Sequence, residues 1–173
     1  MKNVKGVVYV NGRFLGHKMD GIGRFSLEIC KQLKRLNLDF KIVIPKGLDY
    51  KNEFGFEIIE FGNLKSHFWE QIDLLRFLKS NGSLLLLNLS GLGPLFYKNQ
   101  IITIHDLSFY ENKKWFSKVY TLFYSLTTPI LARSALKKIL RNRCRYLHIT
   151  FYTLDFHFLL HLYFLEKNGK KYI

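Results

Sequence analysis

At 173 residues, 48% apolar and 16% aromatic, the chain is too hydrophobic for a disordered protein and too short for two Rossmann-sized domains, but long enough for one real core. Its 27 Lys and Arg against 13 Asp and Glu give a net charge of +14, which favours anionic partners: phosphates, acidic lipids or nucleic acid. No Lys/Arg run exceeds two residues, so there is no polybasic arm, and two cysteines make no disulfide framework.

Val7-Val8-Tyr9-Val10 reads as a first strand. Its apolar run is too short for a signal-peptide core, so a cytoplasmic location is expected. The glycine-rich stretch from Asn11-Gly12 to Gly21-Ile22-Gly23-Arg24 follows. A helix then carries Ile22, Phe25, Ile29, Leu33 and Leu36, three or four apart and so on one face, with Lys31, Lys34 and Arg35 in its last turns, where cations suit the helix dipole. Cys30 lies in this helix and reads as a small buried residue. Phe40–Ile44 is a second strand stopped by Pro45, and Glu57–Phe61 a third. Ser66 is expected to cap a helix through about Leu78, with Phe68, Ile72, Leu75 and Leu78 facing inward. Asn81-Gly82 ends it, and the strand Leu84–Leu87 opens into Asn88-Leu89-Ser90-Gly91-Leu92-Gly93-Pro94.

Ile101-Ile102-Thr103-Ile104 is the clearest strand, β-branched and apolar enough to be buried on both faces, and it stops on His105-Asp106. A long helix is expected from about Phe116 to Lys137, with Pro129 kinking or interrupting it. Strands alternating with helices predict an α/β fold: a single Rossmann-like domain with a parallel sheet. Three of its strands end in polar or glycine-rich segments, and in such sheets the ligand crevice lies at the carboxyl ends of the strands.

The candidate chemistry is therefore concentrated at that edge. Gly21-x-Gly23 at a helix start offers backbone N–H groups and a dipole to a phosphate, although Ser26 stands where a dinucleotide fingerprint has its third glycine, and a plain glycine-containing loop would read the same. His105 and Asp106 suit acid–base work or phosphate contact, or they simply end a strand. His157 and His161 share a helical spacing but lack the adjoining Glu and third ligand of a zinc motif, so no metal site is expected. Leu147–Leu165 is long enough to span a membrane, but Asp155 and three histidines make that costly.

Taken in order, Asn11-Gly12-Arg13-Phe14, Gly21-Ile22-Gly23-Arg24-Phe25 with Glu28, His67-Phe68-Trp69-Glu70-Gln71, Asn88-Leu89-Ser90-Gly91 with Gly93-Pro94, and Thr103-Ile104-His105-Asp106 resemble the N-terminal half of GT-B glycosyltransferases. The nearest likeness is to the family-4-like retaining group that includes mannosyl- and rhamnosyltransferases of bacterial surface polysaccharides, over roughly residues 4–137. The resemblance implies a domain that binds mainly the acceptor, facing a second that holds a sugar nucleotide. It implies that Gly21 and Gly23, helped by Arg24, lie near the donor diphosphate. His105 would sit beside the transferred sugar with Asp106 shaping that site, and Glu70 and Asn88 would line the acceptor side. No resident cofactor is implied: the sugar nucleotide is a substrate, the partner a glycan or lipid-linked acceptor. An anionic membrane at the inner face is a candidate peripheral partner, and no nucleic acid is expected.

After Lys137 the resemblance stops. Residues 138–173 are basic and then densely aromatic, with no consistent period, and no pair of glutamates separated by seven residues, the mark of the family's donor domain, occurs in the sequence. The sequence therefore predicts a domain over 1–137 and an atypical tail over 138–173 that is read out of frame and does not pack on the domain. On this basis the chain transfers no sugar alone. The competing expectation is a non-catalytic module, or one half of a split transferase, binding anionic ligands.

Overall fold

The computed structural model describes residues 7–16, 19–105, 115–134 and 137–140. Asp106, the histidines at 148, 157 and 161, and the tail from 141 onward lie outside the described residues.

Among the described residues six strands form one sheet: β1 (Val8–Asn11), β2 (Phe40–Ile44), β3 (Ile58–Glu60), β4 (Leu86–Asn88), β5 (Gln100–Ile104) and β6 (Lys137–Leu140). Their order is β3-β2-β1-β4-β5-β6, and every neighbouring pair runs parallel. This is the doubly wound order of a Rossmann-like domain. Ile42, Val43, Ile44, Leu86, Leu87, Ile101 and Ile102 have at most 1% of their surface exposed, as strands covered on both faces require. Gly12 follows β1 at a point where a Cβ would run into Ile42 and Ile44, so only glycine lets the chain leave the sheet so close to β2.

Helix α1 (Gly21–Arg35) packs Ile29, Cys30 and Leu33 inward, with Cys30 fully buried and its thiol pKa pushed up by that burial. Leu36, expected on the same face, is 41% exposed, because it is the C-cap and the helix has ended.

Helix α2 covers residues 66–80 in three parts: an α-helical Ser66–Phe68, a π-helical Trp69–Leu74 and an α-helical Leu75–Ser80. The inward face is only half the one expected: Leu78 is buried and Leu75 packs half-buried against the core. Phe68 is 71% and Ile72 46% exposed, while Trp69, Glu70, Asp73, Leu74, Phe77 and Leu78 are buried. Two buried carboxylates displaced the apolar pattern, and the wider π turn sets where they point. Ser66 begins the helix without capping it: Lys65 occupies the N-cap, and no side chain bonds there. Trp69 anchors the helix by donating Nε1–H to the Phe61 carbonyl at 2.6 Å, within a core of Tyr9, Leu74, Phe77 and Leu86.

Helix α3 (Lys118–Ser134) runs through Pro129, which withholds one backbone N–H without ending it. It stops three residues short of the expected Lys137, because Lys137–Leu140 instead forms β6 beside β5, in register from Ile101↔Lys137 to Ile104↔Leu140. The sheet thus reaches past the expected boundary at 137, and Lys138–Leu140, assigned to a non-packing tail, belong to it.

Candidate functional site

The strand order reverses between β1 and β4, and there the last residue of each strand is an asparagine. Asn11 and Asn88 are both fully buried, and Asn11 Nδ2 donates to Asn88 Oδ1 at 2.9 Å. The same Nδ2 donates to Glu70 Oε1 at 2.9 Å. Glu70 has no exposed surface, so its charge needs partners. Arg13 supplies one, donating to Oε2 at 2.7 Å, and His67 Nδ1 lies 3.0 Å from the same oxygen and 3.0 Å from the Arg13 guanidinium. Asn88 Nδ2 donates to Gln100 Oε1 at 2.6 Å, and Gln100 Nε2 donates to the carbonyls of Pro94 and Tyr97. Gln71 closes the set, donating to the Gly93 carbonyl at 2.8 Å and accepting from the Leu95 N–H at 2.9 Å.

These bonds hold the loop between β4 and β5 from below. Gly93 presses against the Asn88 amide so closely that no Cβ fits between them. From that loop the Leu89 carbonyl accepts a hydrogen bond from His105 Nε2 at 2.5 Å. Carbonyls only accept, so Nε2 carries a proton and donates it. Phe25 of α1 meets the imidazole edge-to-face, with centroids 5.2 Å apart, and His105 is 8% exposed.

His105, Ser90, Gly91 and Ile22 line one open pocket, with Tyr120 and Tyr124 of α3 opposite. Of the three segments expected to converge, Ile22, Ser90-Gly91 and His105 line this pocket, whereas Gly21, Gly23, Asn88 and Gly93 do not. The pocket holds about 90 Å³ of space, well below the ~300 Å³ at which pockets begin to enclose a small ligand. Among the described residues it is a shallow pocket open on one side.

The other expected residues fall differently. Gly23 donates its N–H to the Asp20 carboxylate at 2.7 Å, so the helix N-terminus already holds an anion from its own chain. Gly21 faces open space, and Arg24 is exposed and does not line the pocket. Glu70 and Asn88 are present at the crevice, but their oxygens and amide are bonded to protein, so the groups that reach toward solvent are Arg13 and His67. Sequence reasoning gave no role to Arg13, His67, Gln100, Tyr120 or Tyr124. The first two lie within the motifs that prompted the resemblance, but nothing in the sequence pairs them with Glu70 across 57 and 3 residues respectively.

Tyr124 joins the two halves of this edge. Burial raises its hydroxyl pKa above the usual tyrosine value, and the nearby Tyr120 adds to the rise; Arg13 pulls the other way and Glu70 raises it. His67 stacks obliquely near Phe123 at 5.1 Å, and Phe123 meets Tyr124 edge-on at 5.4 Å. A continuous rim therefore runs from the Arg13–Glu70–His67 cluster through Tyr124 to His105.

Among the described residues no group of three or more His, Cys, Asp or Glu is placed to hold a metal ion, and no helix is long and apolar enough to cross a membrane. Fold and site together define an α/β Rossmann-like domain with an open polar crevice at its topological switch point. No family model, no curated protein and no solved structure matches the chain.

Proposed function

We propose that this domain is the acceptor-side half of a retaining, GT-B-type glycosyltransferase, working on a sugar nucleotide and a glycan or lipid-linked acceptor. The observation that carries the reading is the meeting of His105, the Ser90-Gly91 turn and the start of α1 around one open pocket, at the edge where the Asn11–Glu70–Asn88 network is buried. In this reading His105 faces the transferred sugar. Its Nε2–H is donated to the Leu89 carbonyl, which helps to fix the orientation of the ring at the pocket. Retaining transfer then needs positioning and leaving-phosphate stabilisation more than a protein nucleophile. The described residues build one wall, and a leaving diphosphate against one wall keeps its water, which weakens every electrostatic contribution.

The test mixes the purified chain with nucleotide-linked mannose, glucose, galactose or rhamnose, with and without a separately expressed donor-side domain of the same class. The expected result is no transfer or hydrolysis by the chain alone, and transfer in the mixture that falls at least 100-fold in His105→Ala. Robust transfer by the chain alone would overturn the one-wall argument. Absence of transfer in every mixture would overturn the assignment.

A further inference from the structure

Helix α3 is apolar on two opposite faces. On its inward face Thr127 and Leu131 are buried, and Leu131 packs against Leu92, Ile102 and Ile104. Its outward face carries Val119, Leu122, Leu126 and Ile130, three or four residues apart, and Trp115 continues the stripe just before the helix. These side chains are exposed from 41% at Ile130 to 78% at Val119, so the face that a water-facing helix fills with charge is apolar instead. Lys118 and Arg133 stand exposed at its two ends, and residues 115–134 contain no Asp or Glu. The charges around the helix are segregated too. Residues 61–105 and 115–134 expose Lys65, Arg76, Lys79, Lys98, Lys118 and Arg133 but no carboxylate, since Glu70 and Asp73 are buried. Among the described residues, every exposed carboxylate falls between Asp20 and Glu60, on α1 and around β2 and β3.

We infer that the outward face of α3 docks on an anionic lipid bilayer, the helix lying in the plane of the interface with Trp115, Val119, Leu122 and Leu126 at the acyl chains and Lys118 and Arg133 at the headgroups. A stripe of Trp, Val, Leu and Ile flanked by basic residues is what an interfacial helix presents, and its 17 residues, about 25 Å long, lie along a surface rather than cross it. Charge decides between a bilayer and a protein partner. Protein interfaces are depleted in lysine, whereas four of the six exposed cations in residues 61–105 and 115–134 are lysines. Each cation near an anionic leaflet adds attraction, and no exposed carboxylate in these segments opposes it. A nucleic acid would engage the cations and leave the apolar stripe in water. The inference does not rest on the transferase reading: it assigns where the domain sits, not what it transfers.

The test uses the full chain with vesicles of phosphatidylcholine alone and of phosphatidylcholine mixed equally with phosphatidylglycerol. The chain is expected to sediment with the anionic vesicles, to bind the neutral ones about tenfold more weakly or worse, and to be released as salt is raised. The chain has two tryptophans and Trp69 is fully buried, so a blue shift of the emission on adding vesicles reports Trp115 entering the interface. Leu122→Asp combined with Leu126→Asp should weaken vesicle binding about tenfold or more. Both side chains are more than half exposed, so the double variant is expected to fold, which circular dichroism and thermal unfolding check. Lys118→Gln should weaken binding about fivefold, the factor one cation at an anionic leaflet supplies. A folded double variant that binds as the parent does, equal binding to neutral vesicles, or an unshifted emission would overturn the inference. Self-association that the double variant abolishes, without vesicle binding, would also overturn it and make a second copy of the chain the occupant of this face.

Discussion

Removing the carboxylate of Glu70 is the sharpest perturbation the structure offers. Glu70 is fully buried and accepts from Asn11 at 2.9 Å and Arg13 at 2.7 Å, with His67 at 3.0 Å. Glu70→Ala leaves a guanidinium and an amide facing an apolar hole. Deleting one partner of a buried ion pair costs about 3–5 kcal/mol when the survivor stays buried. The Arg13 side chain is 18% exposed and can turn outward, and Asn11 keeps its bond to Asn88, so the low end of that range applies, about 3 kcal/mol. With a urea m-value of about 2 kcal/mol/M, the midpoint should fall by about 1.5 M at unchanged m. Glu70→Gln keeps the volume, but its amide nitrogen must face Asn11 or Arg13, both of which donate. It should cost about 1–2 kcal/mol, between the parent and the alanine variant. Buried Trp69 next to Glu70 reports the transition by fluorescence. A Glu70→Ala midpoint within about 0.25 M of the parent would refute the account of the network, since that is the scale of a neutral surface substitution.

Gly93→Ala forces a methyl group against the Asn88 amide, which Asn11 and Gln100 hold in place; overpacking of this kind costs about 2 kcal/mol and should lower the melting temperature by roughly 5–10 °C. An unchanged Tm would show that the loop can slide. Asp20→Ala should lose about 1 kcal/mol through the missing cap on the Gly23 N–H, whereas Asp20→Asn, which still accepts, should stay within a few tenths; equal unfolding midpoints for the two variants would refute the cap.

The strands were legible because their information is local. Phe40–Ile44 appears in the structure with the bounds the sequence suggests, β5 differs by one residue at its start, and β1, β3 and β4 differ by one or two residues at each end. The parallel sheet followed from runs apolar enough for burial on both faces, and the crevice edge from the polar residues that end those runs. What was hidden depends on contacts distant in sequence. The face of α2 was misread at Phe68 and Ile72 because a hydrophobic pattern scores Glu70 and Asp73 as outward, yet Glu70 is paired with Arg13, 57 positions away, and bonded to Asn11, 59 positions away, and Asp73 accepts the Leu64 N–H at 2.9 Å. Residues 138–140 were taken as the start of an alien tail because composition changes there, but a strand needs only backbone pairing to a neighbour, and β5 supplies it.

The network's place in the fold explains why polar residues sit where an apolar cluster would be the more stable choice. Gln100 and Gln71 bind the backbone of the 93–97 loop segment, Asn88 bonds the Gln100 side chain, and Asn11 bonds both Asn88 and Glu70, linking β1 to β4 and α2. An apolar core in that position would fill the space without fixing carbonyl directions, whereas hydrogen bonds fix both distance and angle. The direction that matters is that of the Leu89 carbonyl, immediately after Asn88, because it sets the tilt of His105. Glu70 and Asn88 therefore act on the pocket through the loop, with Phe25 bracing the other side of the imidazole. Placing a side chain to within a few tenths of an ångström requires rigid support behind it, and a saturated buried network at the switch point provides that support more directly than packing alone.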